Sequence, residues 1–303
     1  MKSYYRYAPS GCMGVICSPE APTIYDRTGK LAFTGAIENV GVWNLRQASQ
    51  VCTLRYDNPG YPYAERGEVT ALELGGDQTT VCVGYSTGEV RLFNYVDKSV
   101  ITTLKGHRAA VTALVLKDAS MLVSGGADCH IVLWDLVARV GVGRLKGHKD
   151  QITSLAFLNL SEKSYLVSSS KDTLVKVWNT ETLHCIQTIV GHRSEVWSLH
   201  VLPHEDTSRT KVLTGAADEL LRVYTVHDLE VINGESQILQ YYGGIQRSST
   251  DRVMGISRNS SSTLVAVQSA GKNIDVRSNA YLVSTLIIIY KYAFVTLVFP
   301  SPG

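Results

Sequence analysis

The sequence predicts an all-β fold of radially repeated four-stranded units, and two periodicities carry that prediction. A Gly-His phrase recurs as Leu104-Lys-Gly-His107, Leu145-Lys-Gly-His148 and Val190-Gly-His192, its histidines 41 and 44 residues apart. An aromatic followed by a polar residue stands 27, 30 and 32 residues after those histidines, as Trp134-Asp135, Trp178-Asn179 and Tyr224-Thr225. A third observation agrees: no long stretch has the 3.6-residue apolar rhythm of a helix.

A Gly-His in step with a Trp-Asp-like dipeptide is the mark of a WD-repeat β-propeller. A unit of about 40 residues cannot bury both faces of its own sheet, so units stack around a channel and leave only short edges. Within one unit, Leu174, Val175, Val177 and Trp178 read as a strand ending at Asn179, and Leu166-Val167 as another before a turn region at Ser168-Ser-Ser. Val42-Trp43-Asn44 and Leu92-Phe93-Asn94 close two degraded units without the Gly-His, the second with a Gly-rich turn at Gly84 and Gly88. Asn273-Ile-Asp-Val-Arg277 closes a sixth, with Arg277 in the aromatic's place. The closing positions 43, 93, 134, 178, 224 and 277 give about six recognisable blades, an incomplete seven-bladed ring. Residues 1–280 form the propeller and 281–303 an unassigned apolar tail.

Polar residues recur at fixed offsets. Asp128, Asp172 and Asp218 stand six positions before the closing aromatics, and Ser124, Ser168 and Thr214 four positions earlier still. In WD-repeat proteins, which this pattern resembles, such residues are linked by hydrogen bonds inside the blade. The sets here are His107, Ser124, Asp128, Trp134; His148, Ser168, Asp172, Trp178; and His192, Thr214, Asp218, Tyr224. A His, Ser and Asp together also suggest a hydrolase. Threefold repetition argues against that, since a nucleophile is needed once, beside an oxyanion site, whereas buried polar groups need partners in every blade. The histidines are therefore expected inside the blades, with no catalytic, metal or cofactor residues and no small-molecule substrate.

Composition fits a soluble globular protein, 45% hydrophobic and 18% charged. A net charge of +2 is too mild to argue for nucleic acid. Cysteines 12, 17, 52, 82, 129 and 185 form no CxxC pair, which suggests reduced thiols rather than a disulfide framework or zinc site. Met1-Lys-Ser-Tyr-Tyr-Arg6 lacks the apolar stretch of a signal peptide. The segment Leu282 to Phe299 is apolar and interrupted by Lys291, a costly residue in mid-bilayer at about 2.5–3.5 kcal/mol. A strand pair in the last blade, a tail anchor and a non-native end compete for it. The last is favoured because the repeat grammar stops at residue 277.

Longer phrases are more specific. Leu145-Lys-Gly-His-Lys-Asp-Gln-Ile-Thr-Ser-Leu155, His184-Cys-Ile-Gln-Thr-Ile-Val-Gly-His-Arg-Ser-Glu-Val-Trp-Ser-Leu199, Lys171-Asp-Thr-Leu-Val-Lys-Val-Trp178 and Tyr5-Arg-Tyr7 followed by Gly14-Val-Ile16 resemble the N-terminal propeller of the WD repeat-containing protein 3 family. The resemblance spans roughly residues 4 to 277. It implies a non-enzymatic scaffold of the small-subunit processome (UtpB-type), in the nucleolus, among other processome proteins, precursor ribosomal RNA and small nucleolar RNA, with no membrane role. Family members are longer, with a second propeller and a helical C-terminal region. The rival reading is an adaptor of another complex, such as a ubiquitin-ligase substrate receptor, because one fold hosts many functions.

Arg108, Lys149 and Arg193 each follow a Gly-His, so radial symmetry puts them on one face as a candidate contact surface. Lys105 and Lys146 belong to the same loops, and Asp150 and Glu195 partly offset them. Such an arc suits phosphates or acidic protein segments, unless these are ordinary solvated turn charges.

Overall fold

The computed structural model describes residues 17–55, 67–77, 79–160, 163–204, 210–232, 235–259, 264–271, 273–278 and 287–289. These form six antiparallel four-stranded sheets, each from consecutive strands in the order of the chain, and no helix occurs among the described residues. Blade 1 comprises β1 (Ile24–Tyr25), β2 (Leu31–Ala36), β3 (Asn39–Asn44) and β4 (Ser49–Leu54). Blade 2 comprises β5 (Val69–Leu74), β6 (Thr80–Tyr85), β7 (Glu89–Asn94) and β8 (Ser99–Lys105). Blade 3 comprises β9 (Val111–Leu116), β10 (Met121–Gly126), β11 (His130–Asp135) and β12 (Val140–Lys146). Blade 4 comprises β13 (Ile152–Leu160), β14 (Lys163–Ser170), β15 (Val175–Asn179) and β16 (Cys185–Ile189). Blade 5 comprises β17 (Val196–Leu202), β18 (Lys211–Ala216), β19 (Leu220–Ile232) and β20 (Glu235–Gln246). Blade 6 comprises β21 (Val253–Arg258), β22 (Leu264–Ser269), β23 (Ile274–Ser278) and β24 (Ile287–Ile289).

The closing residues share one register. Trp43 pairs with Ala32, Phe93 with Val81, Trp134 with Leu122, Trp178 with Leu166, Tyr224 with Val212, and Arg277 with Val265. In five of the six the partner is the second residue of its strand, and Leu166 is the fourth of the longer β14. The sequence alignment of the sixth unit therefore holds at the backbone.

The dipeptide's second residue has a separate task. Asn44, Asn94, Asp135 and Asn179 each accept two backbone N–H groups of the following turn through their side-chain oxygen, the Asx geometry that ends a strand. Each turn finishes on a residue of positive φ: Ala48, Lys98, Arg139 and Leu183. Blade 5 has Thr225 there, a weaker turn former. Its hairpin does not turn but runs on to Ile232 and back from Glu235. Gln187 of the neighbouring β16 grips the returning strand, accepting from the N–H groups of Ile238 and Leu239 and donating to the Leu239 carbonyl.

Blades pack through apolar seams. Five core clusters lie at the interfaces between blades 1 and 2, 2 and 3, 3 and 4, 4 and 5, and 5 and 6. The seams are tight enough to dictate glycine. A Cβ on Gly84, Gly125 or Gly215 would lie 2.8, 2.6 or 2.7 Å from Val111, Ile152 or Val253 of the next blade. Innermost strands are also clasped, since the hydroxyls of Thr70, Thr112 and Thr153 donate to the carbonyls of Val111, Ile152 and Val196 at 2.5, 2.5 and 2.6 Å.

Three sequence expectations need correction. Ser168–Ser170 lie in β14 and are fully buried, because each hydroxyl has a partner inside the blade. Gly84 lies in β6 at the seam, and only Gly88, with φ +86°, serves a turn. Lys105 and Lys146 end β8 and β12 rather than lying in the loops, and Lys105 pairs with Glu89 at 2.9 Å. Within the expected apolar tail, Ile287–Ile289 pair with β23. Tyr5-Arg-Tyr7 and Gly14-Val-Ile16 fall outside the described residues.

Candidate interaction face and the buried polar networks

In blade 3 the Trp134 indole donates to Ser124 Oγ at 2.8 Å, and Ser124 Oγ lies 2.7 Å from His107 Nε2. His107 Nδ1 is 3.0 Å from Asp128, whose other oxygen accepts the Arg108 N–H. One direction of donation satisfies every group: Trp to Ser, Ser to His, His to Asp. That assigns the Nδ1–H tautomer, inferred from the network. Burial holds His107 below its ordinary range, with Asp128 opposing. Burial raises the Asp128 carboxyl, but the Arg108 N–H and His107 outweigh it and leave it below the usual range. A Cβ on Gly106 would lie 2.7 Å from the Trp134 ring, so the residue before this histidine can only be small.

Blade 4 repeats the arrangement. Trp178 donates to Ser168 Oγ at 2.8 Å, His148 Nε2 lies 2.8 Å from that oxygen, and His148 Nδ1 lies 2.8 Å from Asp172. Asp172 accepts the Lys149 N–H at 2.9 Å. Burial likewise holds His148 below its ordinary range, with Asp172 opposing. Both serine oxygens are shut inside the blade and occupied by an indole N–H, so neither can meet an acyl group.

Blade 5 departs from this pattern. Arg222 stands between His192 and Asp218, its Nη1 3.0 Å from His192 Nδ1 and 2.7 Å from the carboxylate. His192 Nε2 lies 3.1 Å from Thr214 Oγ1, with the Tyr224 hydroxyl at 3.5 Å. Because the guanidinium only donates, His192 Nδ1 must accept. The ring is then the opposite tautomer, and no direct His192–Asp218 bond forms. Burial and Arg222 press its pKa down to about 4.

The other blades improvise. In blade 1, Trp43 donates to Thr34 at 3.1 Å, and the Cys17 thiol shares that hydroxyl. In blade 2 the Arg91 guanidinium lies over the buried Tyr85 ring and pairs with Glu89. In blade 6 the buried Arg247 bonds the carbonyls of Ala216, Asp218 and Asp251 and the Ser269 hydroxyl, while Ser248 binds the buried Asp275.

Arg108, Lys149 and Arg193 are all exposed, on the turns entering blades 3, 4 and 5. The Asp128 and Asp172 bonds fix the first two backbones; the Arg193 turn has no such anchor, because Asp218 is taken by Arg222. No group of three or more His, Cys, Asp or Glu could hold a metal ion among the described residues. No helix there is long and apolar enough to cross a membrane.

The WDR3 first beta-propeller domain model matches residues 30–226. The chain belongs to that family. U3 small nucleolar RNA-associated protein 12 of Saccharomyces cerevisiae is 30% identical over 138 residues, 41% of this chain and 15% of that protein. The WD repeat-containing protein 3 homolog of Dictyostelium discoideum is 30% identical over 111 residues, 37% of this chain and 11% of that protein. The sterol regulatory element-binding protein cleavage-activating protein of Xenopus laevis is 33% identical over 92 residues, 30% of this chain and 7% of that protein. The matches thus take in a small part of each relative's length. A chain in the mitotic checkpoint complex crystal structure superposes with a TM-score of 0.71 at 17% identity, over 96% of this chain and 86% of that one, a likeness of fold alone.

The WDR3-family match contains all three expected sets and also Trp197, which sequence reasoning passed over. Trp197 follows Val196 as Thr70, Thr112 and Thr153 follow Val69, Val111 and Ile152, so aligning the inner strands marks it as a departure, as it does Met254 after Val253 in blade 6. Arg247 and Asp275 lie beyond the match, and no repeated phrase points to them.

Proposed function

We propose that this chain is the propeller of a non-enzymatic WD-repeat scaffold in ribosome biogenesis, acting in small-subunit processome assembly and small-subunit rRNA maturation in the nucleolus. The observation that carries the reading is the family match over residues 30–226. One relative's name, U3 small nucleolar RNA-associated protein 12, supports it. The polar sets, His107–Ser124–Asp128–Trp134 and its counterparts, hold blades together and take no part in chemistry. Residues 1–280 act as one propeller unit, to which Ile287–Ile289 of the apolar segment add a strand pairing with β23. The exposed turn cations Arg108, Lys149 and Arg193 are a contact surface for other processome proteins, precursor rRNA or small nucleolar RNA.

An antibody raised against the propeller tests this on whatever product carries it. Recovery of processome proteins and U3 small nucleolar RNA, with nucleolar staining, is the expected result. Recovery of cullin-type ligase subunits without nucleolar staining would replace this reading with the adaptor alternative.

A further inference from the structure

The second residue of the inner strand has one use in blades 2 to 4 and another in blade 5. Thr70, Thr112 and Thr153 sit at a bulge and clasp the next blade. In blade 5 the bulge residue is Trp197, whose ring carries no hydroxyl. Its indole Nε1 is buried without a partner, as is the hydroxyl of Ser194 three residues earlier. An unpaired buried donor is unfavourable by about 1–3 kcal/mol. A departure from the repeat that gives up a clasp and strands a donor is where function is expected to override local fit.

Two cations converge on this ring. Lys171, from the turn between β14 and β15, has its Nζ 4.7 Å from the Trp197 ring centroid. Arg252, from the turn entering blade 6, has its Cζ 4.4 Å away. Neither forms an ion pair among the described residues. Three successive blades thus contribute to one spot. Trp, Lys and Arg side chains are donors with no acceptor, so the spot calls for a ligand rich in acceptor oxygens. The ring orients the cations and, with both drawn onto it, is a poor platform for stacking a nucleic-acid base.

The neighbouring charges decide between a polyanion and a single acidic group. Asp150, Glu195 and Asp251 stand on the same turns as Lys149, Arg193 and Arg252. Asp150 accepts the Gln151 N–H and Asp251 the Ser249 hydroxyl, and Glu195 is exposed. A rim of alternating sign favours a mixed-charge peptide that inserts one carboxylate between the cations over a continuous phosphate backbone at this spot.

We propose that Lys171, Trp197 and Arg252 form a docking site for an Asp- or Glu-bearing peptide segment of a partner protein. This names the partner chemistry of the scaffold reading and rests on it. Its test uses purified chain and synthetic probes, so failure here leaves the antibody experiment standing.

The emission of Trp197 is isolated by subtracting that of the Trp197→Phe chain, and three probes are titrated at low salt: hexaglutamate, hexaglutamine and hexauridylate. Saturable change with hexaglutamate and none with hexaglutamine is expected. Lys171→Glu and Arg252→Glu should each weaken it roughly tenfold, the loss of one charge-assisted bond. Lys117→Glu, an exposed cation in the turn between β9 and β10, should leave it unchanged. Lys171→Ala and Arg252→Ala, checked for an unaltered melting temperature, repeat the test without charge reversal. No saturable change, an equal loss with Lys117→Glu, or tighter binding of hexauridylate would each overturn the proposal, the last in favour of a nucleic-acid surface.

Discussion

Arg222 donates from Nη1 to Nδ1 of His192 at 3.0 Å, and this one contact reverses the tautomer that the corresponding histidines adopt in blades 3 and 4. The residues at the same register there are Val132, opposite Ser124, and Lys176, opposite Ser168. Removing the guanidinium leaves Asp218 and His192 Nδ1 without their shared donor. Arg222→Ala should therefore lower stability by about 3 kcal/mol, as for one partner removed from a buried pair. A urea midpoint equal to that of the parent chain would show that Arg222 is a passenger.

Acid should weaken the fold through its buried histidines, an effect that Glu73 opposes because burial pushes its carboxyl up to about 7. His192 and His200 are pressed down to about 4, first by burial and then by Arg222 and Arg258 respectively, while unfolded histidine titrates near about 6.5. The unfolded chain binds protons first, so stability is full above that value and is lost as pH falls toward 4. For His192 alone the loss is on the order of 3 kcal/mol. In a Glu73→Gln chain, urea midpoints at pH 7.5, 6 and 5 should fall in sequence, and less steeply when Arg222→Ala is added, where His192 regains affinity for its proton. A flat profile from pH 7.5 to 5 would refute this.

Asp172→Ala should destabilise by about 1–3 kcal/mol, since it strips acceptors from His148 Nδ1 and the Lys149 N–H. Chemical denaturation reads the difference directly, and an unchanged midpoint would count against the network.

Thr153→Val keeps shape but deletes the donor to Val196. A loss of about 1 kcal/mol is expected, accompanied by faster amide exchange in β17. If exchange in β17 is unaltered, the clasp does not couple blades 4 and 5.

Charge reversal of Arg108, Lys149 and Arg193 together, with folding confirmed, should weaken recovery of RNA or an acidic partner, and more so at low salt. Exposed charges are screened over about 8 Å at physiological salt, so they tune attachment rather than create it. Associations that keep both strength and salt dependence would identify these as ordinary solvated turn charges.

Much of the fold was legible because backbone tasks recur and choose the same residue types. The aromatic takes one register position in five blades, and Asn or Asp after it stops the strand in four. What escaped was local substitution. Ser168-Ser-Ser reads as a turn because serine is polar, yet its hydroxyls are consumed inside the sheet. Arg222 fills a slot occupied elsewhere by Val132 and Lys176, so no grammar announces it. Cys17 stands four residues before Ala21, as His107 stands before Val111, and counting back from the inner strand could have found it.

The clasps also bear on how the chain is made. Each threonine hydroxyl bonds a carbonyl 40 to 43 residues further along the chain, so a ribosome delivers the donor well before its acceptor. At about 5–20 residues per second, the interval is roughly 2–8 s. A nascent blade thus waits with an unclosed seam until its successor emerges. Slowing translation between blades would lengthen that wait, whereas a chaperone that covers Thr70, Thr112 or Thr153 would protect it.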